Sequence, residues 1–432
     1  MRCFIEVYGC QMNVHDAEIL SGILGSAGHQ ITKDPEDAEA VFVVTCAVRE
    51  HAETRAMGRI THLAGMAGCG SKPLVAVCGC VAQEHGERLL EKVDVIDLVV
   101  GPDAYHRIPE LMTEGVRTAE VDQCSEEYED VTPVRTQFPR AFVNVMRGCD
   151  NYCTYCIVPY VRGRERSRSA SDIISEVRKL AAGGFREVTL LGQNVNSYSS
   201  GDTGFPELLE MVSDAAGSDC WVRFVTSNPR DLTPGLAEVM ASRENICNQF
   251  HLPAQSGSDS VLKAMNRGYT RNGYMKKVAM LRELMPDIVM STDIIAGFPG
   301  ESPGDFQDTV SLLEEVRFDY AFLFRYSERK GTGALKLKPP VPVKERLSRL
   351  SVLQELQREI TIERSKELLG REMTVLVTGP ARVKGQTAAR TRGNRMVILE
   401  GTGYEPGEVF SVRITGADGY THFGMPVIPP VR

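Results

Sequence analysis

Short apolar runs alternate with helical stretches over residues 1–101, and the alternation restarts at residue 141. The first series of predicted strands is Cys3–Tyr8, Ala40–Thr45, Leu74–Val77 and Ile96–Val100, with helices between them such as Asp16–Ala27 and Glu50–Met66. Alternating strand and helix argues for a parallel sheet covered by helices. The second series predicts strands at Ala141–Met146, Glu187–Leu191, Val222–Thr226, Gln249–Leu252, Ile288–Ile295 and Tyr320–Tyr326. Its helices fall at Ser171–Ala182, Pro206–Ala215, Asp259–Asn266, Gly273–Leu284 and Pro303–Val316. Six strand–helix units make most of a barrel without closing an eight-fold one. A long amphipathic helix, Val343–Leu369, follows the Pro339-Pro340 break. Beyond it the helical period gives way to short β-rich runs, Met373–Val377, Met396–Leu399 and Glu408–Ile414, separated by glycines, which read as a small β-barrel. The predicted class is α/β: a parallel-sheet domain over 1–118, a linker over 119–134, a partial (β/α)6 barrel over 135–366 and a C-terminal β-barrel over 367–432. The 432 residues are enough for that many cores.

No apolar run approaches a membrane span, and the start, Met1-Arg2-Cys3-Phe4-Ile5-Glu6, is too short and too charged for a signal peptide. A cytoplasmic protein without membrane contact is expected. The net charge of −8 is unevenly spread. Residues 1–130 hold 10 Lys/Arg and 23 Asp/Glu, part of them in the run Glu126-Glu127-Tyr128-Glu129-Asp130; residues 131–366 hold 31 and 28, and residues 367–432 hold 8 and 6. Any nucleic-acid contact must therefore come from local basic patches in the rear two-thirds. The 12 cysteines are clustered, which in a cytosolic chain points to metal or catalysis before disulfides.

The densest cluster is Arg147-Gly148-Cys149-Asp150-Asn151-Tyr152-Cys153-Thr154-Tyr155-Cys156, a Cys-x3-Cys-x2-Cys run directly after a strand. Three thiolates on one loop suit three irons of a cubane and leave the fourth iron open to an exogenous ligand. A zinc knot normally closes with four ligands, and no fourth Cys or His lies nearby, Cys124 and Cys220 being far off in sequence. This run resembles the signature of the radical-SAM superfamily. The resemblance implies a partial barrel, a [4Fe–4S] cluster on Cys149, Cys153 and Cys156, and S-adenosyl-L-methionine bound at the open iron and cleaved to a 5′-deoxyadenosyl radical. Leu191-Gly192-Gln193-Asn194, at the end of the second strand, and Gly297-Phe298-Pro299-Gly300-Glu301, after a later one, resemble its cofactor-contacting turns. Gln193, Asn194, Gly297, Gly300 and Glu301 are thus candidate cofactor residues; a plain turn is the competing reading for the second motif.

Cys10, Cys46 and Cys80 each follow one of the first three main strands. Loops at the carboxyl ends of parallel strands converge on one crevice, so three thiolates can meet there. Ordinary buried cysteines are the alternative, and Cys78-Gly79-Cys80 offers two candidates, of which Cys78 falls inside the sheet if the strand alternates. Tyr8-Gly9-Cys10-Gln11-Met12-Asn13, Thr45-Cys46-Ala47-Val48-Arg49-Glu50 and Gly79-Cys80-Val81-Ala82-Gln83 closely resemble the methylthiotransferase family. That likeness spans nearly the whole chain and implies an auxiliary [4Fe–4S] cluster on Cys10, Cys46 and Cys80, a radical-SAM core and a C-terminal TRAM domain. Cys3, Cys69, Cys78, Cys124, Cys220 and Cys247 match no motif and are read as structural. Val44, where the family usually has Asn, and Asn228, where it often has His, depart from the pattern without touching a proposed iron ligand.

Within the family, the Tyr8–Asn13 motif resembles the MiaB type. So do Val158-Pro159-Tyr160 with Arg162-Gly163, Leu191–Asn196, and Arg329 in Tyr326–Thr332. The resemblance implies methylthiolation of carbon 2 of N6-dimethylallyl-adenosine beside the tRNA anticodon. One S-adenosyl-L-methionine would give the methyl group and another the radical, with an external electron donor and a sulfur source as partners. N6-threonylcarbamoyl-adenosine of tRNA or an aspartate of a ribosomal protein are the alternative substrates, and a non-catalytic iron–sulfur RNA-binding protein is the rival outside catalysis. Arg162, Arg164, Arg166 and Arg168 follow the cysteine loop, and could hold phosphates or the cofactor carboxylate; a surface salt-bridge run is the plainer reading. The tail carries Arg382, Lys384, Arg390, Arg392 and Arg395 among its basic residues. Ala388–Arg395 resembles the TRAM signature, which makes Arg390, Arg392 and Arg395 the RNA-binding candidates.

Overall fold

The computed structural model describes residues 1–47, 50–66, 73–122 and 127–427. Val48, Arg49, Cys69, Cys124 and Glu126, all named above, lie outside the described residues, as do 428–432.

The first domain is a six-stranded, wholly parallel sheet. Its strands are β1 (Arg2–Val7), β2 (Gln30–Ile31), β3 (Ala40–Thr45), β4 (Leu74–Gly79), β5 (Leu98–Val100) and β6 (Thr118–Glu120), in the order β2-β1-β3-β4-β5-β6. β3 reads Ala-Val-Phe-Val-Val-Thr without alternation and is buried at every residue, because helices cover both faces. Phe42 and Val44 pack with Ile19, Leu20 and Leu24 of α1 (Gln11–Ser26). Val41 and Val43 pack on the other face with Ala56 and Ile60 of α2 (Glu50–Met66). α1 begins five residues earlier than expected, directly at Cys10. β2 and β6 are too short to show a pattern, and β6 extends the sheet into the expected linker.

In the middle domain Arg140–Asn144, Glu187–Leu191 and Trp221–Val225 form one parallel sheet, and Gln249–His251, Val289–Ala296 and Tyr320–Arg325 another. A parallel bridge between Val222 and Ile246 joins them, so the six strands run on as an open arc. Alternate residues (Val143, Val188, Leu190, Val222, Phe224, Phe250, Met290) face the surrounding helices in one large core. The opposite set lines a lumen. A helix at Pro234–Ser242, capped by Thr233, was not expected. The long helix is Val343–Lys366; its Leu353 and Ile360 join the same core, and Gln357 Nε2 donates to Phe318 O at 2.9 Å.

The tail is a closed five-stranded barrel of Glu372–Pro380, Gln386–Thr391, Met396–Glu400, Thr421–Pro426 and Val409–Asp418, around Val375, Ala389, Val397, Leu399, Val412 and Ile414. Gln386–Thr391 escaped the sequence reading because its inward residues, Thr387, Ala389 and Thr391, are small or polar.

The two outer domains bracket the arc. The barrel docks on the amino ends of the arc strands: Trp221 and Cys247 pack with Leu376, Arg392 Nη2 donates to Ile246 O at 2.8 Å, and Arg395 pairs with buried Asp319. A Cβ on Gly393 would lie 2.4 Å from Val289 Cγ2, so only glycine lets that loop seat. The parallel-sheet domain sits on the carboxyl ends, where Met12 packs with Phe142 and Leu191. There Glu18 accepts from Arg135 Nη1 at 3.0 Å and Thr136 N at 2.8 Å. Asp319 has no exposed surface and also meets Arg364 at 3.2 Å. Removing a buried partner of this kind costs roughly 3 kcal/mol or more. We expect Asp319→Ala to lose about that much in urea unfolding of the metal-free chain and to release the barrel early under limited proteolysis; unfolding within about 0.5 kcal/mol of wild type would contradict the docking.

Candidate active site

The cysteine loop rises from the carboxyl end of Arg140–Asn144. Its base is pinched by antiparallel pairing of Met146-Arg147 with Arg166-Ser167. Gly148 has φ +76°, and a Cβ there would lie 2.0 Å from Arg164 O, so the loop can cross itself only at glycine. Two nitrogen donors reach the sulfurs: Asn151 Nδ2 to Cys149 Sγ and Arg267 Nη1 to Cys153 Sγ, both at 3.3 Å. The loop is tied down through Thr154, whose N and Oγ1 donate to Met265 O (3.1 Å) and Ala264 O (2.9 Å) and whose O accepts from Ala334 N (2.7 Å). Burial pushes the Cys149 thiol up and Cys156 to about 12, Cys153 adding to the latter. Thiolates gathered here need a strong positive partner, which iron supplies.

Facing them are the cysteines of the other domain. Cys10 caps α1, Cys46 follows β3, and Cys80 opens α3 (Cys80–His85) at the end of β4. β1, β3 and β4 are sheet neighbours, so the three loops converge as expected. Gly9 has φ +131°, and a Cβ there would fall 2.2 Å from Cys46 Cβ; glycine is what lets the Cys10 loop lie on Cys46. A hydrogen bond with Cys46 lowers the Cys10 thiol to about 6 against the opposing effect of burial, with help from Arg162. Burial raises Cys80, although Arg162 Nε donates to its sulfur at 3.1 Å. Cys78 belongs instead to the sheet core with Ile19 and Tyr105, and burial drives its thiol upward. Among the described residues no three His, Cys, Asp or Glu side chains are placed to hold a single metal ion. Nη1 of Arg162, whose Nε reaches Cys80, is buried without a hydrogen-bond partner, a donor left for a group held at the Cys10/Cys46/Cys80 trio.

The arginines after the loop are neither a phosphate site nor a surface run. Arg162 meets Asp16 at 2.5 Å, Arg166 meets Asp103 and Glu127 at 3.0 Å, and Arg168 donates to Asn144 O at 2.7 Å; only Arg164, paired with Asp150, is exposed. Arg162 and Arg166 staple the two domains together, while Arg164 and Arg168 bond within the middle domain.

The remaining candidates divide. Gln193 Oε1 is buried and unpartnered beside the mouth. Asn194 is consumed internally, donating to Asp231 Oδ2 at 2.7 Å and accepting from Asn228 N at 3.0 Å. Gly297 packs on the long helix, where a Cβ would lie 2.5 Å from Arg346 Cγ. Gly300 N donates to Pro339 O at 2.8 Å, and Glu301 takes Gly297 N at 2.8 Å and Arg349 at 2.6 Å. That turn therefore seats the helix, and its Phe298 meets Tyr155 of the cysteine loop edge-on at 6.4 Å. The lumen below carries a wall that sequence reasoning missed: Phe322 and Phe324 are exposed, opposite Leu323, which packs into the core. His251 lies edge-on to Phe322 at 5.9 Å and meets Asp293 at 3.4 Å.

Comparison with known proteins agrees with this geometry. A model of the radical SAM superfamily matches residues 143–313, a TRAM domain model 366–427, and a model of an uncharacterized protein family, UPF0004, residues 2–101. A relative from Parabacteroides distasonis is 43% identical over 99% of this chain and 95% of its own, and one from Prosthecochloris aestuarii is 43% identical over 97% of both. Each is named tRNA-2-methylthio-N(6)-dimethylallyladenosine synthase. The chain belongs to that family. Among solved structures, the radical S-adenosylmethionine methyltransferase TsrM from Kitasatospora setae, with cobalamin and a [4Fe-4S] cluster bound, aligns with a TM-score of 0.59 at 13% identity over 90% of this chain and 76% of that one. The cobalamin-dependent radical enzyme OxsB aligns at 0.52 and 10% identity over 84% and 56%. At such identities the likeness is one of fold. As a member of this family the chain is an iron–sulfur enzyme that uses S-adenosylmethionine.

For a member of this family, the barrel arginines are a surprise. Arg395 is buried on Asp319, Arg392 is spent on Ile246 O, and Arg390 donates to Asn394 Oδ1 at 2.5 Å beside Arg140, Glu187 and Arg223. Arg392 and Arg395 bond across to the core and Arg390 bonds within the barrel, while Arg371, Arg382, Lys384 and Arg413 are exposed. Also missed were Arg267, which carries no motif, and Asp16, whose burial shows only once α1 is known to be covered. The thiol environments yield a prediction. In metal-free protein at pH 7, Cys10 lies above its pKa of about 6 and is a thiolate, while Cys156, at about 12, is not. Mass spectrometry after brief iodoacetamide treatment should find Cys10 alkylated well before Cys156, with the Cys10 rate falling as pH drops through 6; equal rates would contradict the site.

Proposed function

We propose that this enzyme methylthiolates carbon 2 of N6-dimethylallyl-adenosine beside the anticodon of tRNA, through two [4Fe–4S] clusters. Cys149, Cys153 and Cys156 would hold one, and Cys10, Cys46 and Cys80 the other. The observation that carries this reading is the placement of two three-cysteine sites, each on a separate domain, around the carboxyl mouth of one lumen. With three protein ligands each, both clusters would keep an iron open. When bound, the first supplies reductive cleavage of S-adenosylmethionine to a carbon radical, and the second supplies sulfur to be methylated and transferred.

The chain's own work is to position. Arg267 and Asn151 give the first site its sulfur donors, and Gln193, at the rim, is available to the cofactor. Asn194, Gly297, Gly300 and Glu301 shape the wall behind it. The sheet domain covers the mouth and keeps water from the radical. Phe322 and Phe324 offer an apolar wall of a kind suited to a flat base with a dimethylallyl group. The carboxylate of a threonylcarbamoyl group or of an aspartate would gain nothing from such a wall, which favours the first substrate over these alternatives. An external reductant and a sulfur source complete the reaction. No described helix is long and apolar enough to cross a membrane, and we place the enzyme in the cytoplasm, where the thiols stay reduced.

The test is an anaerobic assay of reconstituted enzyme on tRNA bearing N6-dimethylallyl-adenosine, with nucleoside mass spectrometry. The methylthio product should form and vanish in Cys10→Ala, Cys46→Ala or Cys80→Ala, while deoxyadenosine release persists in those variants. Phe324→Ala should raise KM about tenfold, corresponding to ~1.4 kcal/mol of lost apolar contact, and leave deoxyadenosine release intact. Deoxyadenosine without any modified nucleoside in wild-type enzyme would move the substrate elsewhere.

A further inference from the structure

Arg162 comes from the middle domain, six residues beyond the cysteine loop, yet its side chain ends in the other domain's site. Nε donates to Cys80 Sγ at 3.1 Å, and Nη2 meets Asp16 Oδ2 at 2.5 Å and Asn13 Oδ1 at 3.4 Å. Asn13 Oδ1 in turn lies 3.6 Å from Cys10 Sγ. The other oxygen of Asp16 faces Arg147 Nη2 at 3.2 Å, and Arg147 sits two residues before Cys149, over the ring of Tyr128 at 5.0 Å. Asp16 and Arg147 have no exposed surface and Arg162 is 3% exposed. One step along the chain, Gly163 O accepts from Cys149 N at 3.3 Å. A buried arginine–aspartate–arginine chain thus runs from a cysteine of one site to the base of the other.

We propose that Arg162 is a positioning residue that completes the Cys10/Cys46/Cys80 site across the domain boundary and raises the reduction potential of the cluster held there, with Asp16 opposing it. This rests on the two-cluster reading above. Reduction adds negative charge to a cluster; a guanidinium donating to a ligand sulfur stabilises the reduced form, and an adjacent carboxylate disfavours it. Burial keeps water from screening either effect.

The measurement is an EPR-monitored redox titration of the full chain carrying Cys149→Ala, Cys153→Ala and Cys156→Ala, so that only the second cluster contributes. Arg162→Met should shift its midpoint to more negative potential. Arg162→Lys, which keeps the charge and loses the Nε bond, should shift it less in the same direction, and Asp16→Asn should shift it to more positive potential. A merely structural role would not give opposite signs. If Arg162→Met fails to take up iron, Arg162→Lys and Asp16→Asn still carry the test. Unchanged midpoints, or shifts of the same sign in the Arg162 and Asp16 variants, overturn the inference while leaving two clusters in place. Absence of any cluster in the triple-cysteine variant overturns the two-cluster reading and this inference with it.

Discussion

A carboxylate stripped of all water, that of Asp16, is stable only because two arginines reach it from another domain. Breaking such a buried pair costs roughly 3–5 kcal/mol, so the parallel-sheet domain cannot lift from the arc without exposing or stranding three charges. Glu18 with Arg135, and Asp103 with Arg166, repeat the arrangement nearby. These contacts aim the carboxyl ends of β1, β3 and β4 at the carboxyl mouth of the arc. The facing of the two cysteine sites, the cover over the lumen and the placement of Arg162 on Cys80 all follow from that docking.

The charge asymmetry of the chain gains a meaning from the same contacts. An acidic front and a slightly basic rear look like a statement about RNA. Part of that difference is spent inside the molecule, where Asp16, Glu18 and Asp103 of the sheet domain meet arginines of the core. The opposite end uses the same device, with Arg395 and Arg364 on Asp319. Arg392 and Arg395 of the barrel are held in that joint, and Arg371, Arg382, Lys384 and Arg413 stay exposed.

Most of the frame was legible from the residues. Strand–helix alternation located the six arc strands to within a residue or two at most ends, because mostly apolar runs such as Ala141–Met146 leave little choice. The cysteine spacing of 149, 153 and 156 is local and therefore visible. The convergence of the Cys10, Cys46 and Cys80 loops was legible because parallel topology converts the ends of strands into neighbours, while their reading as a cluster site rested on the likeness to the methylthiotransferase family. The rest depended on tertiary facts with no sequence period: an arginine run reads alike whether it is solvated or buried between domains, and Gly297–Glu301 reads alike whether it meets a cofactor or the long helix. Arg267 and the lumen aromatics lie far from any motif, and only the curvature of the arc brings them to the site.

The central claim is that two clusters face one another across one mouth, and spin coupling reports on it directly. EPR of the doubly reduced, reconstituted protein should show a broadened, fast-relaxing spectrum that is not the sum of the two single-cluster spectra taken from the Cys10/Cys46/Cys80→Ala and Cys149/Cys153/Cys156→Ala variants. A spectrum equal to that sum would contradict the facing arrangement, and iron sufficient for only one cluster would contradict the second site altogether.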